Sequence, residues 1–152
     1  LLARVAERFR MRENGRVRIL YEPPEEIVTV RASPDRLTQV FENVLDNAAS
    51  LTADGGSARV TLQRSADGAA LVAVSDEGPG IPEAHRERIF ERFFSYRPGD
   101  GDKRHAGLGL AIVKAIVEGY GGTVTAANNS AKGATFTVKL PASRTGVMKQ
   151  PT

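Results

Sequence analysis

The chain has 152 residues, 41% of them hydrophobic, which suits a single domain with an ordinary core. Its net charge is +3, with arginines and lysines scattered among acids and no aromatic residues interleaved in a basic patch, which argues against a nucleic-acid-binding surface. It has no cysteine, which excludes disulfides and thiolate chemistry and fits a reducing compartment, and no apolar run approaches the ~20 residues that span a bilayer.

Residues 1–12 read as a helix with Leu2, Val5, Ala6 and Phe9 on one face, and the arginines Arg4, Arg8, Arg10 and Arg12 exclude a signal-peptide core. Because it begins at Leu1 rather than Met, the chain is expected to be a fragment of a longer protein, whose membrane anchor, if it has one, would lie upstream. Residues 17–20 and 27–30 are short β-type runs around the Pro23-Pro24 break. Ser33-Pro34 predicts a helix start, running to about Thr52 and stopping before Asp54-Gly55-Gly56. Residues 58–63 and 69–75 read as a hairpin joined at Asp67-Gly68. A short helix is expected over 83–90 and a flexible, Gly-rich and charged loop over 95–106. Residues 108–118 are apolar nearly all round and predict a buried helix ended by Gly119 and Gly121-Gly122. Residues 123–127 and 134–140 are strands around a turn at 128–133. The elements predict one α+β domain over 1–141, a two-layer α/β sandwich of one mixed sheet with helices on one face, and a polar, disordered tail over 142–152.

Four short motifs stand out. In the helix after Ser33, the residues Leu37, Val40, Phe41, Val44, Leu45, Ala48 and Leu51 form a core face, and Gln39, Asn43, Asn47 and Ser50 form a polar stripe at the same period. Asparagine is a mediocre helix former, so a pair one turn apart asks for a reason. A side-chain amide oxygen can bind Mg²⁺, although a polar stripe facing solvent would look the same. Asp76-Glu77-Gly78-Pro79-Gly80 follows a strand, where Asp76 either caps a turn or reads a ligand. Phe90-Glu91-Arg92-Phe93-Phe94 comes next, then Gly107-Leu108-Gly109-Leu110 opening a helix, whose free amides suit phosphate. No strand immediately precedes that glycine pair, so it is not a dinucleotide signature.

In order and spacing these motifs resemble the ATP-binding domain of sensor histidine kinases, within the wider family of gyrase B, the Hsp90 chaperones and MutL; the resemblance covers about 31–141. It implies a Bergerat-type fold with a mainly antiparallel sheet, and ATP and Mg²⁺ as cofactors. It implies that Asn47 is the magnesium ligand and that Asn43 stands where gyrase-type relatives carry a glutamate base. An amide cannot take a proton, so poor ATP hydrolysis is expected, with Asn43 positioning phosphate or water. Ser50 stands where histidine kinases often carry a phosphate-binding lysine, and so removes one positive charge. Asp76 would accept a hydrogen bond from the exocyclic amino group of adenine, favouring ATP over GTP. Gly78 and Gly80 would let the backbone approach the base, Ile81 would pack on the ring, and Thr135 matches the family's hydroxyl near adenine, though a plain β-branched strand residue would look the same. Gly107, Leu108, Gly109 and Leu110 would form the phosphate loop. The stretch between Phe93 and Gly107 would be the ATP lid, with Phe90, Phe93 and Phe94 at its stem and Arg92 and Arg97 as phosphate contacts. Lys103, Arg104 and His105 would be solvated.

Neither His85 nor His105 has the context of a phosphoacceptor, and both read as surface residues. The resemblance therefore implies an upstream, histidine-bearing dimerisation domain and a response regulator as partners. This chain would be monomeric, its parent homodimeric and cytoplasmic or anchored in the inner membrane. Two other readings stay open: an anti-sigma-factor-type serine kinase, and a non-catalytic ATP-sensing interaction module. A gyrase- or chaperone-like ATPase fits less well, because Asn43 replaces the base and the lid is short.

Overall fold

Leu2, Val5, Ala6 and Phe9 recur at helical spacing. In the computed structural model, which describes residues 1–94 and 108–142, they form the buried face of α1 (Leu2–Glu13). β1 (Arg18–Tyr21) follows. α2 (Pro34–Leu51) begins where the sequence predicts: Ser33 caps it, accepting from the Arg36 amide at 3.4 Å, and Pro34 opens the first turn. β2 (Ser57–Arg64) and β3 (Ala70–Ser75) form the expected hairpin, with Gly68 at φ 87° in its turn. α3 (Gly109–Gly119), β4 (Thr123–Asn128) and β5 (Ala134–Leu140) complete the domain.

The sheet has five strands in the order β1-β2-β3-β5-β4. β1 pairs parallel with β2, and every other pairing is antiparallel, so the sheet is mixed and mainly antiparallel as expected. Burial alternates strictly along β3 and β5. Ala70, Val72 and Val74, with Ala134, Phe136, Val138 and Leu140, are buried in the core, while the residues between them are half-buried on the other face. α2 packs on β2 and β3, and α3 on β4 and β5. α2 and α3 run antiparallel: the Ser33 amide donates to the Tyr120 hydroxyl at 3.0 Å, and Asn43 Nδ2 donates to the Gly109 carbonyl at 3.4 Å.

Three expectations are corrected. Residues 27–30 form no strand; Val28 and Val30 pack against the core, but Ile27 is 81% exposed and the segment pairs with no strand among the described residues. Residues 83–90 form two short 3-10 turns, Glu83–His85 and Arg88–Phe90, rather than one helix. α3 is one-sided: Val113, Ile116 and Val117 are buried, while Lys114, Ala115 and Glu118 are exposed. The loop expected over 95–106 and the tail beyond Ala142 lie outside the described residues.

The end of α2 carries no basic residue in its last turn, yet helix C-termini favour a cation. Arg16 supplies it from the α1–β1 connection. Its guanidinium donates to the carbonyls of Ala49 (2.7 Å) and Thr52 (3.1 Å), and pairs with Asp54 (3.0 Å) and Glu13 (2.9 Å). Arg16→Ala is expected to lower stability by about 1–2 kcal/mol, since charge-assisted bonds to helix carbonyls are lost from a partly exposed site. Asp54→Ala should cost much less, because Asp54 is 82% exposed in that pair. Urea denaturation of both variants checks the difference.

Candidate functional site

The site is arranged along one stripe of α2. Asn43 touches the first turn of α3 through its bond to the Gly109 carbonyl. Four residues on, Asn47 is buried at 6% exposure. Four more lead to Leu51, whose carbonyl would lie 2.7 Å from any Cβ at Gly78. At 1.5 Å per residue, each step is about 6 Å along the helix axis. Asn47 therefore stands midway between the start of α3 and the loop after β3. Ser50, half-buried, turns its hydroxyl back to the Asn47 carbonyl at 3.1 Å, so it brings no charge and its proton is engaged by the helix.

Asp76 continues the parity of Val72 and Val74 and so points from the end of β3 into the core face, at 2% exposure. Burying a carboxylate needs compensation. Its Oδ1 accepts from the amides of Gly78 (2.9 Å) and Ala134 (3.2 Å), and its own amide donates to the Ala134 carbonyl at 2.9 Å. The loop that follows is held at several points. Glu77's amide donates to the Thr52 hydroxyl at 3.3 Å, and its carboxylate accepts from the Ser57 amide at 3.1 Å. Ile81 exchanges both backbone groups with the Asn128 side chain, at 2.7 and 2.9 Å. Gly80 sits against that amide, 2.9 Å from where its Cβ would be. Ile81 itself is 3% exposed and belongs to the core.

The start of α3 is open. Leu108 precedes it without a side-chain cap and is 39% exposed, Gly109 is exposed and Leu110 half-buried. Among the described residues no side chain caps its first amides. Phe90 packs edge-on against Phe136 (6.3 Å between centroids), and Phe94 against His85 (5.2 Å). Phe93 does not join this stem; it is 72% exposed at φ 65°. His85 is half-buried rather than a surface residue, and its Nδ1 is buried. Arg92 is exposed. Arg97 and Gly107, with Lys103, Arg104 and His105, lie outside the described residues.

Thr135 is placed differently from the sequence expectation. Its neighbours Ala134 and Phe136 are buried on the helix-facing side, so its hydroxyl projects from the opposite face, 2.6 Å from that of Ser75. Ala134 is the β5 residue beside the Asp76 carboxylate. Sequence reasoning also missed Asn128, Asn129 and Gly133, all inside what reads as a plain turn. Gly133 has φ 87°, and a Cβ there would lie 1.9 Å from the Asp76 carbonyl oxygen. The paired asparagines were the only signal available.

Chemically, the arrangement offers a buried, oriented carboxylate at one end, amides at a helix start at the other, and a carboxamide between them. The glycine contacts around Asp76 leave no room for side chains there, which suits a flat ring approaching backbone.

Comparison with known proteins identifies the family and the fold. Residues 32–144 match the family described as histidine kinase-, DNA gyrase B-, and HSP90-like ATPase. The sensor histidine kinase TmoS of Ectopseudomonas mendocina is 42% identical over 120 residues, covering 78% of this chain and 12% of TmoS. The chain thus spans a small part of the length of such relatives. Among solved structures, the mycobacterial sensor histidine kinase MprB superposes with a TM-score of 0.77 at 34% identity, covering 92% of this chain and 91% of that one. Full-length ShkA in complex with AMPPNP gives 0.78 at 31% identity, covering 93% of this chain and 29% of ShkA. The chain therefore belongs to the family of histidine kinase-, DNA gyrase B- and HSP90-like ATPases, and its fold is that of a histidine kinase ATP-binding domain.

Proposed function

We propose that the chain binds Mg²⁺–ATP and donates its γ-phosphoryl, within a longer sensor histidine kinase, to a histidine on an upstream dimerisation domain. The observation that carries this reading is Asp76: a carboxylate at 2% exposure, oriented by two backbone amides and set at one end of the asparagine stripe. A buried acceptor of that kind suits the exocyclic amino group of adenine, and would face the carbonyl oxygen of guanine with no proton between them. Gly78 and Gly80 admit the base to the backbone, and Ile81 stiffens the wall behind it. Further along, Leu108, Gly109 and Leu110 receive phosphate at the start of α3, where helix amides and dipole favour anions. Asn43 is the neighbour of that turn and orients phosphate or water.

The residues fit magnesium carried by the nucleotide. Among the described residues no group of three His, Cys, Asp or Glu side chains could hold a metal ion. A single hard oxygen from Asn47, with phosphate oxygens and waters supplying the rest, suits an ion that keeps its hydration. When bound, the ion neutralises phosphate charge. Arg92 and Arg97 add bidentate phosphate contacts in place of the charge that Ser50 does not bring. With an amide at position 43 there is no base to activate water, so the phosphoryl group is kept for transfer rather than hydrolysis. Transfer to histidine, and onward to a response-regulator aspartate, then rests on positioning and electrostatics. The chain on its own is monomeric, while the parent is a homodimer.

Calorimetric titration with ADP and a non-hydrolysable ATP analogue, with and without Mg²⁺, against GDP tests the reading. ADP should bind at least about 10-fold tighter than GDP, the consequence of one unmade buried hydrogen bond. The analogue should bind tighter with Mg²⁺ than without. No binding at millimolar nucleotide would overturn the proposal.

A further inference from the structure

We propose that Asn129 and Thr135 are positioning residues that set adenine selectivity from the far face of the sheet. They do so by locking the backbone of Asp76. The inference rests on Asp76 being the group that reads the base.

The two side chains belong to one fully assigned hydrogen-bond chain. Asn129 Nδ2 donates to the Asp76 carbonyl at 3.2 Å and to the Lys132 carbonyl at 3.1 Å. Both of its protons are then used, and its orientation is fixed, because its Oδ1 must be the acceptor. That Oδ1 accepts the Thr135 hydroxyl proton at 2.5 Å. A hydroxyl has one proton, so the Ser75 hydroxyl must donate in the 2.6 Å contact with Thr135 Oγ1. Backbone bonds close the same ring: the Asn129 amide donates to the Gly133 carbonyl at 2.9 Å, and the Asp76 amide donates to the Ala134 carbonyl at 2.9 Å. Gly133 completes the lock by lying against the Asp76 peptide.

The consequence lies on the opposite face. Strand alternation puts Ser75 and Thr135 on one side and Asp76 and Ala134 on the other. Asp76 Oδ1 is oriented by the amides of Gly78 and Ala134, and both amides are carried by segments that this chain ties together. If the turn drifts, the Ala134 amide moves and the carboxylate is free to rotate. A rotated carboxylate still accepts hydrogen bonds, so some nucleotide binding remains; what is lost is the fixed direction that distinguishes an amino group from a carbonyl oxygen.

Asn129→Ala and Thr135→Val are made, with Thr135→Ser as the conservative control that keeps the hydroxyl. Kd for ADP and for GDP is measured on each, with amide NMR of Gly78 and Ala134 in nucleotide-free protein. The expected result is a drop in the ADP:GDP preference of about 10-fold for Asn129→Ala and Thr135→Val, the size of one lost hydrogen bond at the reader. The Gly78 and Ala134 amide resonances should shift in both, and Thr135→Ser should restore selectivity to near its original value. If the original protein itself does not prefer ADP over GDP, the reading of Asp76 fails and this proposal falls with it. If it does, but both variants keep the preference and lose only thermal stability, the network is merely structural and this proposal alone is overturned.

Discussion

Asp76→Asn is expected to leave the fold intact and to weaken ADP binding about 100-fold, the combined effect of a lost charge-assisted hydrogen bond and a buried donor left facing another donor. The substitution is nearly isosteric. The asparagine carbonyl can take the place of Oδ1 and keep the amides of Gly78 and Ala134 satisfied, so the packing around residue 76 is preserved. Its amide group then falls where the carboxylate's second oxygen was. Facing the exocyclic amino group of adenine, it offers a donor to a donor. Facing the carbonyl oxygen of guanine, it offers a donor to an acceptor, so GDP should lose little or gain. Calorimetry with both nucleotides, beside a thermal melt, separates the outcomes. Equal weakening of ADP and GDP would mean that Asp76 supports the loop without reading the base. An unchanged ADP affinity would remove Asp76 from the site altogether.

Much of the scaffold was legible because local rules and tertiary context agree. Ser33-Pro34 starts α2 and Asp67-Gly68 turns the β2–β3 hairpin, each for a reason contained in a few residues. The candidate reader was also legible: a carboxylate in the buried parity of β3 is unusual, and Asp76 sits two residues beyond Val74. Residues 27–30 show the limit. Their alternation is that of a strand, and Val28 and Val30 do turn toward the core, but a strand needs a backbone partner and among the described residues none pairs with them. Thr135 shows a different failure, since resemblance put it beside adenine although the parity of Phe136, a clear core residue, already placed it on the other face. The roles of Arg16, Asn128 and Asn129 were missed for a third reason. The contacts that matter here, Arg16 to Ala49, Asn128 to Ile81 and Asn129 to Asp76, span 33 to 53 residues of chain, and nothing in a single sequence announces such pairings.

Gly133→Ala is expected to destabilise the protein by about 2–4 kcal/mol, from positive-φ strain and steric overlap together, and to abolish selective adenine binding in what remains folded. The residue has φ 87°, and its new Cβ would meet the Asp76 carbonyl oxygen at 1.9 Å and the carbonyl carbon at 2.7 Å. Those are backbone atoms of a residue whose amide is paired to the Ala134 carbonyl of β5, so no flexible side chain can swing aside. Relief requires moving the turn between β4 and β5 away from Asp76, which stretches the Asn129 bond to its carbonyl and the Ala134 bond to its carboxylate. Gly55→Ala is the matched control: Gly55 has φ 89° but nothing within 4 Å of a Cβ, so it carries the strain without the overlap and should cost about 1 kcal/mol. The difference between the two, read by urea denaturation, measures how tightly the turn is pressed against the loop. If both substitutions cost the same, the turn can retreat freely, and Asp76 is held by its own strand rather than by its neighbour.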